Sequence, residues 1–141
     1  MSTERTLILL KPDAVERSLR GEIIRRIEAK GYSIVALAQR TATDAELSAH
    51  YAEHEGKPFY APLVEYMKSA PIVAIVAEGE NVIAGFRSLA GSTNPTTAAP
   101  GTIRGDLGRE WPTGPIQNLV HGSDSVESAE REIGIWFPQG V

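Results

Sequence analysis

The stretch Asn118-Leu119-Val120-His121-Gly122-Ser123-Asp124 sets a histidine between a short apolar run and a turn of small polar residues. A ring nitrogen at the end of a strand can face a cleft instead of the core. Neutral imidazole is nucleophilic near pH 7, and the phosphoramidate it forms with a phosphoryl group is labile enough to pass on. Such a nucleophile needs its second nitrogen held by an acceptor, which sets the tautomer. Gly122 permits a close backbone approach, and Glu132 is a carboxylate able to support the site through Ser123. Phosphoryl transfer through His121 is the chemistry this segment suggests.

Phosphate binding would have to come from side chains. The chain contains neither G-x-x-x-x-G-K-[ST] nor G-x-G-x-x-G, so neither standard glycine cradle is available. Arginine suits the task because its planar guanidinium can hold two phosphate oxygens at once. His50 and His54 stand four residues apart, which permits a metal site in principle. No third ligand accompanies them in the pattern, so they are expected to line or flank the cleft beside Tyr51.

The elements that must carry these residues follow from periodicity. The run 6–11 is continuously apolar up to its terminal lysine and ends at Pro12, as expected of a central strand covered on both faces, with Asp13 as the next N-cap. Ile23, Ile24 and Ile27 predict a helix over 21–31, stopped by Gly31. Residues 33–37 read as a second strand. Thr43 or Asp44 caps a helix with Leu47, His50, Tyr51 and His54 on one stripe. A short helix is expected over 61–69, a third strand over 71–77 and a helix over 81–89. A last strand at 119–120 precedes a helix opening at Asp124, with Glu127 completing a capping box. Between 94 and 117 no periodic element is evident, and four of the nine prolines fall there (Pro95, Pro100, Pro112, Pro115). Loops beyond about 12–15 residues in a compact domain are usually functional or disordered. This one leads straight to His121, which favours function. Alternating strands and helices indicate an α/β or α+β layered sheet; periodicity alone leaves parallel and antiparallel open.

Composition bounds the alternatives. A chain of 141 residues with 42% hydrophobic and 23% charged residues is expected to form one soluble domain, spanning 1–141. A net charge of -4 gives no support to general nucleic-acid binding, although a cationic pocket can sit in an acidic surface. The absence of cysteine excludes disulfides, thiolate zinc sites and a cysteine nucleophile. The apolar run 7–10 is far too short for a signal peptide or membrane span, and a cytoplasmic location is expected.

The segment 118–124 resembles the active-site signature of nucleoside diphosphate kinases. The likeness extends in order through TLILLKPD (6–13), HYAEHEGKPF (50–59), Thr93-Asn94-Pro95 and PGTIRGD (100–106). The resemblance implies a ferredoxin-like four-stranded antiparallel sheet with helices packed against it. It implies transfer of the terminal phosphate of a nucleoside triphosphate to a nucleoside diphosphate by a ping-pong route, with Mg²⁺ and through a phosphohistidine. Carried over by position, His121 would be the nucleophile. Lys11, Arg87, Thr93, Arg104 and Asn118 would hold phosphates or sugar, and Phe59 would stack on the base with Leu63 nearby. Tyr51 would lie beside the histidine, and Ser123 and Glu132 would orient it. Mg²⁺ would be held mainly by the phosphates. The resemblance also implies a homo-oligomer, a hexamer or alternatively a tetramer.

Taken singly, these residues have plainer readings: Lys11 and Arg87 as solvated charges, Tyr51, Phe59 and Leu63 as core, Thr93 as a turn residue, Glu132 as an exposed helix carboxylate. Two departures from the family pattern stand out. Ala14 replaces a usual glycine at a helix start, and the run 108–115, with Trp111 and two prolines, is a few residues longer than usual.

Overall fold

The computed structural model describes residues 3–141. The elements in chain order are β1 (Thr3–Leu10), α1 (Pro12–Glu16), α2 (Arg20–Ala29), β2 (Ser33–Arg40), α3 (Asp44–His50), α4 (Tyr60–Met67), β3 (Ile72–Glu80), α5 (Val82–Ala90), α6 (Ile103–Leu107), β4 (Val120–Gly122) and α7 (Val126–Trp136). One sheet runs in the order β2-β3-β1-β4, with every neighbouring pair antiparallel. This is the ferredoxin-like arrangement that the resemblance implies.

β1 is central and buried on both faces, which explains its unbroken apolar run. Ile8 and Leu10 pack with Ile23, Ile27, Phe86 and Ile103 on one side of the sheet. Leu7 and Leu9 pack with Leu47, Met67 and Trp136 on the other. In the antiparallel ladder Leu9 lies opposite His121, and directly opposed residues project to the same face. His121 is thereby directed to the face covered by α3 and α7.

Several boundaries differ from the sequence expectations. β1 ends at Leu10, and Lys11 is the N-cap residue of α1 with Pro12 at the helix start. Asp13 is therefore not a cap: its carboxylate accepts from the Leu119 amide at 3.1 Å and from the Tyr66 hydroxyl at 2.6 Å. Both partners are remote in sequence, so no local pattern announces them. Thr43 caps α3 in a full capping box with Glu46, but α3 stops at His50. Tyr51 is its C-cap and Ala52–His54 forms a 3₁₀ turn, so His50 and His54 do not share an α-helical face. The cap of α7 is Ser125, whose side chain accepts from the Ser128 amide. The expected Asp124–Glu127 box is one residue out of register. The supposedly aperiodic 94–117 stretch contains α6, capped by the Thr102 side chain on the Gly105 amide; five residues are too few to show a period. β2 runs to Arg40 and β3 to Glu80, beyond the predicted 37 and 77, and β4 is Val120–Gly122 instead of 119–120.

The entry to β4 is locally strained. Leu119 has φ of 74°, a left-handed conformation that costs a non-glycine residue energy unless its surroundings hold it. They do so here. Its N–H donates to Asp13 and its carbonyl accepts from the Lys11 amide at 2.8 Å. At Gly122 a Cβ would stand 2.6 Å from the Phe86 ring, so only glycine lets β4 lie flat on α5. Ala14, the residue that departs from the family's usual glycine, is completely buried among the apolar residues of α1, α2 and α5.

Candidate active site

A cleft of about 430 Å³ opens over the end of β4. Its walls come from the β1–α1 junction (Lys11), the α3 end (His50, Tyr51), α5 (Arg87), the following loop (Thr93), α6 (Arg104), the approach to β4 (Asn118), β4 itself (His121) and α7 (Glu132). The sheet edge and four helices thus converge on one histidine.

His121 Nε2 lies 2.8 Å from Glu132 Oε1. The Ser123 hydroxyl donates to the same oxygen at 2.8 Å, and the Leu7 amide of β1 donates to Ser123 Oγ at 3.1 Å. Burial raises the Glu132 pKa, but its bond to His121, the charge of that ring and its bond to Ser123 outweigh this, leaving it below the ordinary value. An ionised carboxylate only accepts. Nε2 of His121 therefore carries the proton, and Nδ1 keeps a lone pair. Ser123 forms no hydrogen bond to the imidazole; it acts through Glu132 and is itself fully buried.

On the opposite side the ring meets His50, centroid to centroid 4.6 Å and edge-on. His50 Nδ1 accepts from the Trp136 indole N–H at 3.1 Å. Tyr51 packs edge-on against His50 at 4.7 Å and stacks with His54 at 5.9 Å. Burial pushes the Tyr51 hydroxyl far above its ordinary value, helped by the Glu132 charge. His50, His121 and Glu132 offer ligand atoms within 4.8 Å of one another. The indole bond argues against a metal there, because a neutral His50 whose Nδ1 accepts has its proton, not a lone pair, on Nε2.

Cationic groups occupy the far wall. Lys11 Nζ donates to Asn118 Oδ1 at 2.9 Å, and Asn118 Nδ2 donates to the Thr93 carbonyl at 3.0 Å. Burial and the Arg104 charge lower the Lys11 pKa to about 8. Arg104 donates to three backbone carbonyls: Gly91 at 2.8 Å, Asn118 at 3.1 Å and Val120 at 2.6 Å. Burial and neighbouring Arg87 bring its pKa down to about 10. Its guanidinium ties the 91–118 loop to β4, a task invisible in the sequence. Arg87 is exposed and forms no ion pair with the described residues.

The structure brings Lys11, Tyr51, Arg87, Thr93, Arg104, Asn118, His121 and Glu132 into one cleft, with Ser123 just behind. Phe59 and Leu63 lie outside this lining. Phe59 is 49% exposed, with His54 edge-on at 5.1 Å and Lys57 above its ring. Leu63 is partly buried against the α3–α4–α7 core. Arg131 also lines the cleft and donates to the Ala49 carbonyl at 3.0 Å. Sequence reading passed it over, since a helix arginine beside a glutamate looks like a surface pair. The 108–117 loop does not line the cleft; within it Arg109 sits 4.2 Å over the Trp111 ring.

The comparisons with known proteins agree with this geometry. Residues 4–141 match the family described as nucleoside diphosphate kinase. A nucleoside diphosphate kinase of Mycobacterium marinum is 60% identical over 137 residues, covering 96% of this chain and 98% of that one. One from Streptomyces avermitilis is 60% identical over 143 aligned positions, covering 99% of each. Among solved structures, a halophilic nucleoside diphosphate kinase from Halobacterium salinarum in complex with CDP superposes with a TM-score of 0.89. It is 42% identical, with 96% of this chain and 88% of that one covered. The chain therefore belongs to the nucleoside diphosphate kinase family, and it transfers phosphate between nucleotides.

Proposed function

We propose that His121 is the phosphoryl carrier, with Nδ1 as the attacking atom. The observation that carries this reading is the Leu7–Ser123–Glu132–His121 chain, which protonates Nε2 and leaves the Nδ1 lone pair for the cleft. In the first half-reaction Nδ1 bonds to the terminal phosphorus while the bond from that phosphorus to the bridging oxygen breaks. The nucleoside diphosphate leaves with the bond's electrons. In the second, a terminal oxygen of the acceptor diphosphate takes the phosphoryl group and the P–N bond breaks. Such a loose transition state needs positioning and cationic stabilisation more than proton transfer.

Arg87, Lys11 and Arg104 supply the positive charge, Asn118 and Thr93 hold sugar or phosphate, and Tyr51 walls the nucleophile. Phe59 stacks on the base, with Leu63 beneath the same segment; every base has a π-face, so this tolerates many nucleotides. The lining carboxylates are Glu53, Asp124 and Glu132, and Glu132 is committed to His121 and Ser123. A divalent ion, Mg²⁺, would be held mainly by the phosphates and would neutralise part of their charge. We take residues 1–141 as one catalytic domain, working in the cytoplasm as a hexamer, with a tetramer as the alternative. No helix of the described residues is long and apolar enough to cross a membrane. The edge strand β2 leaves Val35 and Leu37 exposed, which supports self-association; light scattering of the purified protein measures its order.

Incubation with a nucleoside triphosphate labelled on its terminal phosphate tests the reading. An acid-labile, alkali-stable label on His121 is expected. His121→Ala should lose the label and on the order of 10³-fold or more of transfer. Wild-type transfer by that variant would overturn the mechanism.

A further inference from the structure

We propose that His50 is a positioning residue for the nucleophile, locked by Trp136 in a single tautomer and packed edge-on against His121. The proposal rests on His121 being the phosphoryl carrier.

Trp136 Nε1 is a donor only, so His50 Nδ1, 3.1 Å away, must present a lone pair to it. The His50 proton then sits on Nε2, for which the described residues provide no hydrogen-bond partner. His50 is buried, and the groups that face it are His121, Glu132, Arg131 and Lys11 across the cleft, with Tyr51 and Trp136 against its ring. Burial first, then the His121 charge, hold its pKa down to about 3. His50 therefore stays uncharged through the neutral range.

The consequence is an asymmetry between two imidazoles whose centroids lie 4.6 Å apart. Both line the cleft, yet only His121 has a lone pair to offer it. His50 spends its own on the indole, so it neither competes for the phosphoryl group nor takes the proton that Glu132 assigns to His121. α7 provides Trp136 and Glu132 one turn apart, on the same helix face. One helix thus holds His121 directly through Glu132 and indirectly through His50, which restrains rotation of the nucleophilic ring.

Two kinds of measurement test this. In the wild-type protein, long-range ¹H–¹⁵N spectra should report His50 as the neutral Nε2–H tautomer from about pH 5 to 9. A Nδ1–H tautomer, or titration within that range, would overturn the proposal whether or not any variant folds. In pre-steady-state phosphorylation by ATP, Trp136→Phe and His50→Ala should each slow labelling of His121 about fivefold to tenfold. The ATP concentration for half-saturation should not change. The double variant should be no slower than His50→Ala, because Trp136 acts only through His50. Unchanged rates, multiplying effects or a raised half-saturation alone would each reduce the pair to packing. Label retained by His121→Ala would instead count against the carrier assignment and leave the tautomer result standing.

Discussion

The histidine cleft and the Phe59 segment beside it are built on opposite terms. At His121, the ring nitrogen, carboxylate and hydroxyl behind the nucleophile are all bonded, and the supporting groups are buried between sheet and helix. At Phe59, outside the cleft lining, a half-exposed ring stands at the N-cap of α4, held by two loose aromatic and cationic contacts. The difference suits the role proposed for each region. A nucleophile gains rate from a fixed tautomer and a fixed angle. A base platform, the role proposed for Phe59, needs no shaped, closed pocket to accept many bases.

The first way to break this comparison is Glu132→Gln. The amide cannot serve as a charged acceptor, and hydrogen bonds to charged groups are worth about 1.5–3 kcal/mol. Phosphorylation of His121 should fall about 10- to 100-fold in a single-turnover assay. The same change should alter acid stability. Glu132 has a lowered pKa in the folded state, so its contribution is present above the unfolded value of about 4.3 and is lost as pH falls through the folded value. Wild-type denaturation midpoints should thus drop below about pH 4 more steeply than those of Glu132→Gln.

In the Phe59 segment, Phe59→Ala should raise the nucleotide concentration for half-saturation about tenfold, within the range for lost base stacking. The maximal rate should be nearly unchanged. An equal loss of maximal rate would show that the two regions are not separable.

Lys11 belongs to the cationic wall of the histidine cleft. With its pKa near 8, the free protein loses this positive charge as pH rises through that value. Nucleotide affinity by calorimetry should weaken a few-fold between about pH 7 and pH 9. Lys11→Arg should abolish that alkaline decline, because a guanidinium stays charged. Trp111→Ala should do least. Its contact is a cation–π pair outside the cleft, worth about 0.5–1 kcal/mol, and steady-state rates should change by no more than about twofold.

Much of this was legible in the residues. The apolar runs of β1 and β3, the Gly31 stop and the Thr43 cap are local signals, readable because backbone sterics and capping act over a few residues. The antiparallel sheet came only from the family resemblance, since covered strands look alike in either orientation. Most of the cleft residues were named through motifs, not through their individual chemistry. Phe59 and Leu63, assigned beside the base in the same way, lie away from the histidine cleft.

What the sequence by itself determined was the inventory: a histidine after a short strand, a carboxylate one helix later, and enough cations to meet phosphate. Tertiary structure alone decided how they are used. It committed Arg104 to three backbone carbonyls, set Asp13 against the amide of a strained Leu119, and turned the His50 lone pair toward Trp136. The last two contacts join residues 106 and 86 positions apart. No periodicity spans such distances, because the pairing is fixed by the order of strands in the sheet and by which face each helix covers.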